Sequence, residues 1–434
     1  MKTVTKLFPL LLVLLMVFSA YSVFSAAGKA SSQYKDYIAQ GDEKAREGLI
    51  VDAAGFYEQA LALKDNVNLK VKIGTMYLEN GYGSKAVAIG EKLVEDYPKE
   101  VAAYDFLLTC YNKAENYDDC YEIIETAEKR KLSSEFITEM KNKTAYLYDF
   151  DPCKFSDVLV CVNENSVVKS GDKYGFSTAK GKYALPAVYL DAGFFVDGIA
   201  PVKDENGEIY YIDVEGYKRK VIPKDLKCEM VGSLVDGMIV VFDGQKYSYY
   251  NEKFKLQFGP FDYAGTMIGG IAAVKEGELW YLVNKKGEKI NKTPYEDIIL
   301  NDREMANYFD RSFVKTGGAY IMVDSKGKQV GDQKFEDARL FASSGFAAVK
   351  QGGKWGFVNT EGAITIKPQF EDARSFNNDL AAVCKDGVWG YIAADGEIKI
   401  APQFQYAMDF NNKGYAFVKC QDTWATIMLY RLNY

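Results

Sequence analysis

The stretch KWGFVNTEGAITIKPQFEDARSF, Lys354–Phe376, decides the fold. Two alternating apolar runs flank Asn359-Thr360-Glu361-Gly362. An Asn opens a turn by hydrogen-bonding its own backbone, and a Gly supplies the positive φ that ends it. The pattern predicts a β-hairpin. Pro368 sits where the chain leaves that hairpin, a place that needs no ladder donor. FEDARSF then turns the chain, and LAAVC, Leu380–Cys384, reads as a third, buried strand. Taken alone, Trp355, Asn359 and the Glu371-Asp372 pair are candidates for chemistry.

The stretch recurs. Aligned on the tryptophan, the register falls at Tyr174, Ile209, Tyr247, Trp280, Tyr320, Trp355, Trp389 and Trp424, with gaps of 35, 38, 33, 40, 35, 34 and 35 residues. All 4 tryptophans of the chain occupy this position. Glycine follows seven residues later at Gly181, Gly216, Gly287, Gly327, Gly362 and Gly396, whereas Phe254 and Arg431 break the rule. A small sheet of roughly three strands cannot bury both faces alone, but a series of them can. The region starts with the second half of a unit, about residues 148–168, and stops after the first half of one, Thr423–Tyr434. Two half-units that share a sheet are how toroidal propellers close. A closed ring of about eight small three-stranded blades is therefore expected, with an open β-solenoid as the alternative.

Upstream the period changes. From Tyr34 to about Ser134, helix–turn–helix units repeat every 33 or 34 residues. Small residues recur at Gly41 and Gly74, at Ala53, Ala86 and Cys120, and at Ala60 and Ala127, with Tyr77 and Tyr111 between them. Small residues let helices approach closely and large ones fill the gaps. The chain thus reads as α + β and multidomain: a helical repeat domain over 30–148 and a β domain over 149–434.

Both halves resemble known repeat families. The helical units resemble the tetratricopeptide repeat (TPR), an α-solenoid of helical hairpins. The β units resemble the WG repeat, named for the Trp-Gly seen at Trp355-Gly356 and Trp389-Gly390. The second resemblance implies a β-rich array rather than a defined activity. The first implies that Asp42, Arg46, Asn68, Thr75, Glu79, Asp105, Thr109, Asn112 and Lys113 line a concave groove for a partner.

Composition narrows the function. The chain has 434 residues, a formal charge of −7 and no histidine. The acidic balance lacks the basic footprint of a nucleic-acid binder. Without histidine, Ser-His-Asp and Cys-His catalysis and the usual His-containing zinc sets are unavailable. The seven cysteines are scattered, with no C-x-x-C pair, and read as buried thiols, with a Cys110–Cys120 bridge left open. Residues 1–27 combine Lys2, Lys6 and an apolar run that ends in Ser25-Ala26-Ala27. They read as an export signal or an uncleaved membrane anchor, which puts the body outside the cytoplasm.

The pairs Glu296-Asp297, Glu336-Asp337 and Glu371-Asp372 invite an acid/base or calcium reading. They recur once per unit, so capping a turn or pairing Arg339 and Arg374 is the expected role. The Asp204-Glu-Asn-Gly-Glu208 loop reads as a hairpin turn rather than a calcium site. No cofactor and no metal is expected. The expected function is a non-catalytic extracytoplasmic scaffold with a protein or peptide partner. A glycan- or small-ligand-binding surface is the alternative, and a carboxylate-based glycan-active enzyme ranks below it.

Overall fold

The computed structural model describes residues 29–161 and 164–429. The 1–27 segment read as a signal or anchor lies outside these residues. The chain forms two compact units that part between Ala145 and Tyr146. Among the described residues, no helix is long and apolar enough to cross a membrane.

The first unit is a run of helices: α1 (29–46), α2 (Ile50–Leu63), α3 (Val67–Glu79), α4 (Gly83–Asp96), α5 (Val101–Lys113), α6 (Tyr117–Lys129) and α7 (Glu135–Thr144). The first six pair as three hairpins, and α7 covers the end. Local chemistry sets two of the starts. Asn66 Oδ1 accepts from the Leu69 N–H at 3.1 Å, and Ser134 Oγ accepts from the Ile137 N–H at 2.9 Å. The recurring glycines do what their spacing predicts. A Cβ on Gly41 would stand 2.5 Å from the Tyr57 ring, and one on Gly74 would run into the Phe106 ring. Contacts run from α3 to α5 and from α5 to α7, and no comparable contacts join α2 to α4 or α4 to α6. The first helices therefore form the inner side of the curve.

The second unit is a propeller of eight antiparallel sheets. Blade 1 spans residues 157–189, blade 2 191–221, blade 3 230–261, blade 4 263–284, blade 5 297–324, blade 6 337–370 and blade 7 372–404. Blade 8 combines 406–429 with Tyr148–Pro152, which pairs antiparallel along Thr423–Leu429. Tyr148 lies opposite Leu429 and Pro152 opposite Ala425. That shared sheet closes the ring and removes the open solenoid. Closure uses less of the entering segment than the sequence suggested. Only 148–152 joins the last blade, whereas Asp157–Val160 and Ser166–Ser170 build the inner part of blade 1.

Blade size also differs from the expected three strands. Six sheets have four strands, and only blades 4 and 5 have three. The extra strand hides inside the segment read as a turn. Asp372–Ala373 pairs with Cys384 and Val383 directly after Ile364–Phe370 has sealed blade 6. One extended segment therefore ends one blade and opens the next.

Each blade meets its neighbour through an apolar cluster. At the closure, Met408, Phe417 and Trp424 of blade 8 pack with Val158 and Val168 of blade 1 and with Phe155 of the segment that leads into it. Three tyrosines add a polar lock between blades. The fully buried Tyr211, Tyr249 and Tyr391 donate to the carbonyls of Gly232, Gly265 and Met408 at 2.7, 2.6 and 2.8 Å. Burying a phenol without a partner would cost free energy, so each hydroxyl must be satisfied where it lands. All seven cysteines are unpaired, and Cys110, Cys120, Cys153 and Cys384 are buried.

Candidate functional site

The residues that recur in every unit are consumed by the scaffold. Asn359 Oδ1 accepts from the Glu361 and Ala363 N–H groups at 3.2 and 2.9 Å. Asp213, Asn251, Asn284 and Asp324 open equivalent turns, and in blade 7, where Ala393 opens the turn, Asp395 inside it accepts from the Glu397 N–H. Asp204 does the same in its own hairpin, accepting from Asn206 and Glu208 N–H at 2.9 Å. The first carboxylate of each Glu-Asp pair caps the hairpin ahead of it. Glu296, Glu336 and Glu371 accept from the N–H groups of Gly318, Gly353 and Gly387 at 3.1, 3.0 and 2.9 Å. Of the second carboxylates, Asp372 pairs with Arg339, and Asp297 accepts a hydrogen bond from the Tyr320 hydroxyl. Among the described residues, no group of three or more acidic or cysteine side chains is placed to hold a metal.

The residues that differ between blades gather elsewhere. A cavity of about 760 Å³ opens at the mouth of the ring, lined by segments that follow the innermost strands. Arg374 of blade 7 is its fixed point, with 11% of its side chain exposed. Its Nε and Nη2 donate to both carboxylate oxygens of Asp409 at 2.7 and 3.1 Å. Nη2 also reaches Asp302 at 2.9 Å, and Nη1 donates to the Tyr406 hydroxyl at 3.0 Å. Burial alone would lower the Arg374 pKa, but the two carboxylates hold it well above its ordinary value. Arg339 of blade 6 occupies the equivalent position. It donates to Ala373 O at 2.6 Å and Asp372 at 2.9 Å, and its guanidinium lies 5.0 Å from the Trp355 ring centre. Arg374 therefore pairs forward into blade 8, not with the Glu-Asp pair of its own unit.

Asp302 comes from a segment that sequence reading left without a role. Residues 299–310 of blade 5 leave the blade and run across the mouth. Asn301 Oδ1 accepts from the Arg303 and Met305 N–H groups at 3.0 and 3.1 Å, which sets the bend. Thr266 N–H donates to Glu304 O at 2.8 Å, tying the segment to blade 4. Met305 then packs in one cluster with Leu340, Phe194 and Val235, from blades 6, 2 and 3. The Arg303 guanidinium lies 5.9 Å from the Phe194 ring centre. Cys161 also lines the cavity, and burial pushes its thiol up to about 12, so the sulfur is protonated near neutral pH. Two features of the sequence point here in hindsight. The 40-residue gap between Trp280 and Tyr320 is the longest, and an arginine follows the Asp-Ala pair only at Arg339 and Arg374.

The nine groove residues named from the helical pattern fall into two sets. Asp42, Asp105 and Asn112 are half-buried and serve the stack. Asp42 accepts from the Tyr57 hydroxyl at 2.6 Å and from Lys72, Asp105 from the Ser134 hydroxyl at 2.6 Å, and Asn112 from Lys143 at 2.8 Å. Burial works against the charge on Asp42, yet the Lys72 and Tyr57 hydrogen bonds keep its pKa below the ordinary 3.8. Arg46, Asn68, Glu79, Thr109 and Lys113 are exposed, and Thr75 is half-buried. Three of these are tied back to main chain: Arg46 to Asp42 O, Thr109 to Asp105 O and Lys113 to Leu78 O.

Comparison with known proteins agrees with the register of the ring. The family model for the WG containing repeat matches residues 174–207, 322–355, 355–389 and 389–424. Each match begins or ends on the aromatic register or close beside it. No curated protein matches the chain. Among solved structures, BamB from Moraxella catarrhalis is similar at 9% identity over 64% of this chain and 95% of that one, with a TM-score of 0.43. Hsv2p of Kluyveromyces lactis is similar at 10% identity over 56% and 92%, with a TM-score of 0.35. A crystal structure of a TPR domain is similar at 22% identity over 27% of this chain, with a TM-score of 0.23, and this chain spans about a third of its length, 34%.

Proposed function

We propose that the protein is a non-catalytic, extracytoplasmic interaction scaffold. The helical unit works as a TPR-like groove that holds a peptide segment of a partner protein, and the ring presents a second binding surface. The observation that carries this reading is the inner side of the helical curve. There Arg46, Asn68 and Glu79 stand exposed on consecutive first helices, α1 and α3. Donors and acceptors spread along a rigid concave face suit an extended peptide, because neighbouring hairpins hold them at fixed spacing. The mouth of the ring supports a binding rather than a catalytic role. Two of its carboxylates, Asp302 and Asp409, are engaged by Arg374. Export is supported by the basic start and apolar run of residues 1–27.

The test is peptide display selected on the full chain. Selected peptides should bind the triple variant Arg46→Ala, Asn68→Ala, Glu79→Ala at least about tenfold more weakly, as expected when several polar contacts are lost. Equal binding to the triple variant, with its melting curve unchanged, would remove the groove from the proposal.

A further inference from the structure

We propose that the mouth of the ring is a binding site for a neutral oligosaccharide segment. This deepens the reading of the ring as a second binding surface and rests on it. Three observations carry the assignment. The first is size: a cavity of about 760 Å³ lies within the range of pockets that enclose a small ligand. The residues lining it come from blades that share a fold but differ at these positions, as a site rather than a scaffold would require.

The second observation is that Arg374 and Arg339 already spend their charges on carboxylates; of the other charged lining residues, Glu164 pairs with Lys413, Asp337 accepts from the Ala338 N–H and Arg303 lies against the Phe194 ring. Arg374 donates through Nε, Nη1 and Nη2 to Asp409, Tyr406 and Asp302. Arg339 is held by Asp372 and the Ala373 carbonyl. A charged ligand seated on Arg374 or Arg339 would have to break one of these pairs and leave a buried charge with a poor partner. An uncharged ligand does not. A carboxylate accepts up to about four hydrogen bonds, so Asp302 and Asp409 can each take a further hydroxyl donor while holding Arg374. Vicinal hydroxyls are the donors that fit two fixed carboxylates without bringing charge.

The third observation is the apolar edge. Tyr308 and Phe195 line the same cavity, and both are half-buried, so part of each ring stays open. A pyranose has hydroxyls around its rim and apolar C–H faces that pack on aromatic rings. A peptide fits less well. Its backbone needs a free strand edge, whereas the innermost strands of blades 5 to 8 are two residues long and the mouth is presented by loops.

Calorimetric titration of the full chain with chitotriose, maltotriose, cellotriose and mannotriose tests this, with trigalacturonate and trialanine as charged and peptide comparators. At least one neutral sugar should bind with a Kd below about 1 mM. Tyr308→Ala and Asp302→Asn should each weaken that binding about tenfold, while Glu278→Ala, far out on an exposed hairpin, leaves it unchanged. Melting curves run alongside, and if Tyr308→Ala unfolds the ring, Asp302→Asn carries the test, because Asp409 still holds Arg374. Three results overturn the proposal: none of the neutral sugars binds, a comparator binds more tightly than all of them, or the folded variants bind as the parent does. None of these results bears on the peptide assay, which reads the helical unit.

Discussion

Blades 6 and 7 differ from blades 4 and 5 at one backbone position. After the register tryptophan, blades 6 and 7 carry Gly356 and Gly390, and the sheets are sealed by Ile364–Phe370 and Ile398–Phe404. A Cβ on either glycine would stand 2.5 Å from a carbonyl of that fourth strand and 2.6 Å from the nitrogen of Pro368 or Pro402. Real Cβ atoms do not approach so closely, so in these two blades the path of the last strand requires glycine. Blades 4 and 5 place Tyr281 and Ile321 at the same point and have no fourth strand. Isolated bridges such as Trp280–Tyr295 and Tyr320–Phe335 are what remain. Blade 3 solves the conflict from the other side. Ser248 replaces the glycine, and Gly259 on the opposing strand makes the close approach, 2.9 Å from Ser248 Cα for an added Cβ. The Trp-Gly pair is thus a packing device of blades 6 and 7, whereas blades 2 and 8 seal with Tyr210 opposite Val221 and Ala425 opposite Pro152 at the same place. The same contrast appears at the mouth. The sealed blades offer Arg339 and Arg374, whereas blade 5 has Ile299 in that place and sends a longer segment across.

Blade 8 gives the largest test, because its fourth strand comes from the other end of the unit. Truncation after Asp422 removes Trp424, Ala425, Ile427 and Leu429, all buried, and strips Tyr148–Pro152 of its partner. Burying one large apolar side chain is worth about 1.5–3 kcal/mol. Losing several together should exceed the few kcal/mol by which such a domain is stable. Calorimetry should show the cooperative ring transition lost, while the helical transition persists. A ring that merely frays, with its melting temperature within a few degrees of the parent, would mean that closure contributes little.

The mouth comes next in size. Arg374→Met leaves Asp302 and Asp409 facing each other without their shared cation, which typically costs about 3–5 kcal/mol. Arg339→Met should cost about 1 kcal/mol or less, because that side chain is 39% exposed and pairs with one carboxylate. Denaturant titration of the two variants compares blade 7 with blade 6 directly. Equal losses would show that the cross-ring contact to Asp302 adds nothing.

The glycines follow. Gly356→Ala and Gly390→Ala should each destabilise by about 1–3 kcal/mol through overpacking, since the obstructing atoms are backbone. Replacing Gly352 by Ala is a contrast of a different kind. Nothing lies within 4 Å of its Cβ, and its cost comes from its φ of 63°. Urea midpoints that leave Gly390→Ala at parent stability would break the link between the Trp-Gly pair and the fourth strand.

What the sequence made legible follows the range of the interactions. An Asx turn is decided within five residues, so Asn359 to Ala363 could be read directly. Ring closure could be read because the two half-units were visible at the ends of the repeat. The fourth strand escaped because Asp372–Ala373 is two residues long and is defined only by its partners Val383 and Cys384. The mouth escaped for a related reason. Asp302 and Arg374 lie 72 residues apart, and no period joins them. In the helical unit, Asp42, Asp105 and Asn112 looked like groove residues, yet Tyr57, Ser134 and Lys143 from neighbouring segments had already engaged them. Local chemistry is written in the repeat, whereas the site is written in departures from it that only folding brings together.

The smallest expected effect separates blades by the side-chain acceptor in their hairpin turn. Blade 5 opens its turn on Asp324, and blade 7, which opens on Ala393, carries Asp395 as the acceptor inside the turn, whereas blades 4 and 6 open on Asn284 and Asn359. Main-chain N–H donors, from Lys328 and from Glu397 foremost, lower the two aspartate pKa values below the ordinary 3.8. A carboxyl lowered on folding adds stability above its unfolded pKa and loses that stability as pH falls through the folded one. The aspartate turns should therefore weaken below about pH 4, where the asparagine turns, which do not titrate, hold. Asp395 is exposed and Asp324 half-buried, so the effect is modest. The double variant Asp324→Asn, Asp395→Asn keeps both acceptors and should melt with the parent at neutral pH. Below about pH 4 its melting temperature should fall less steeply than the parent's. Identical slopes across that range would mean that the acid sensitivity of the ring lies in other carboxylates, with Asp213 and Asp243, also lowered from 3.8, the next to replace.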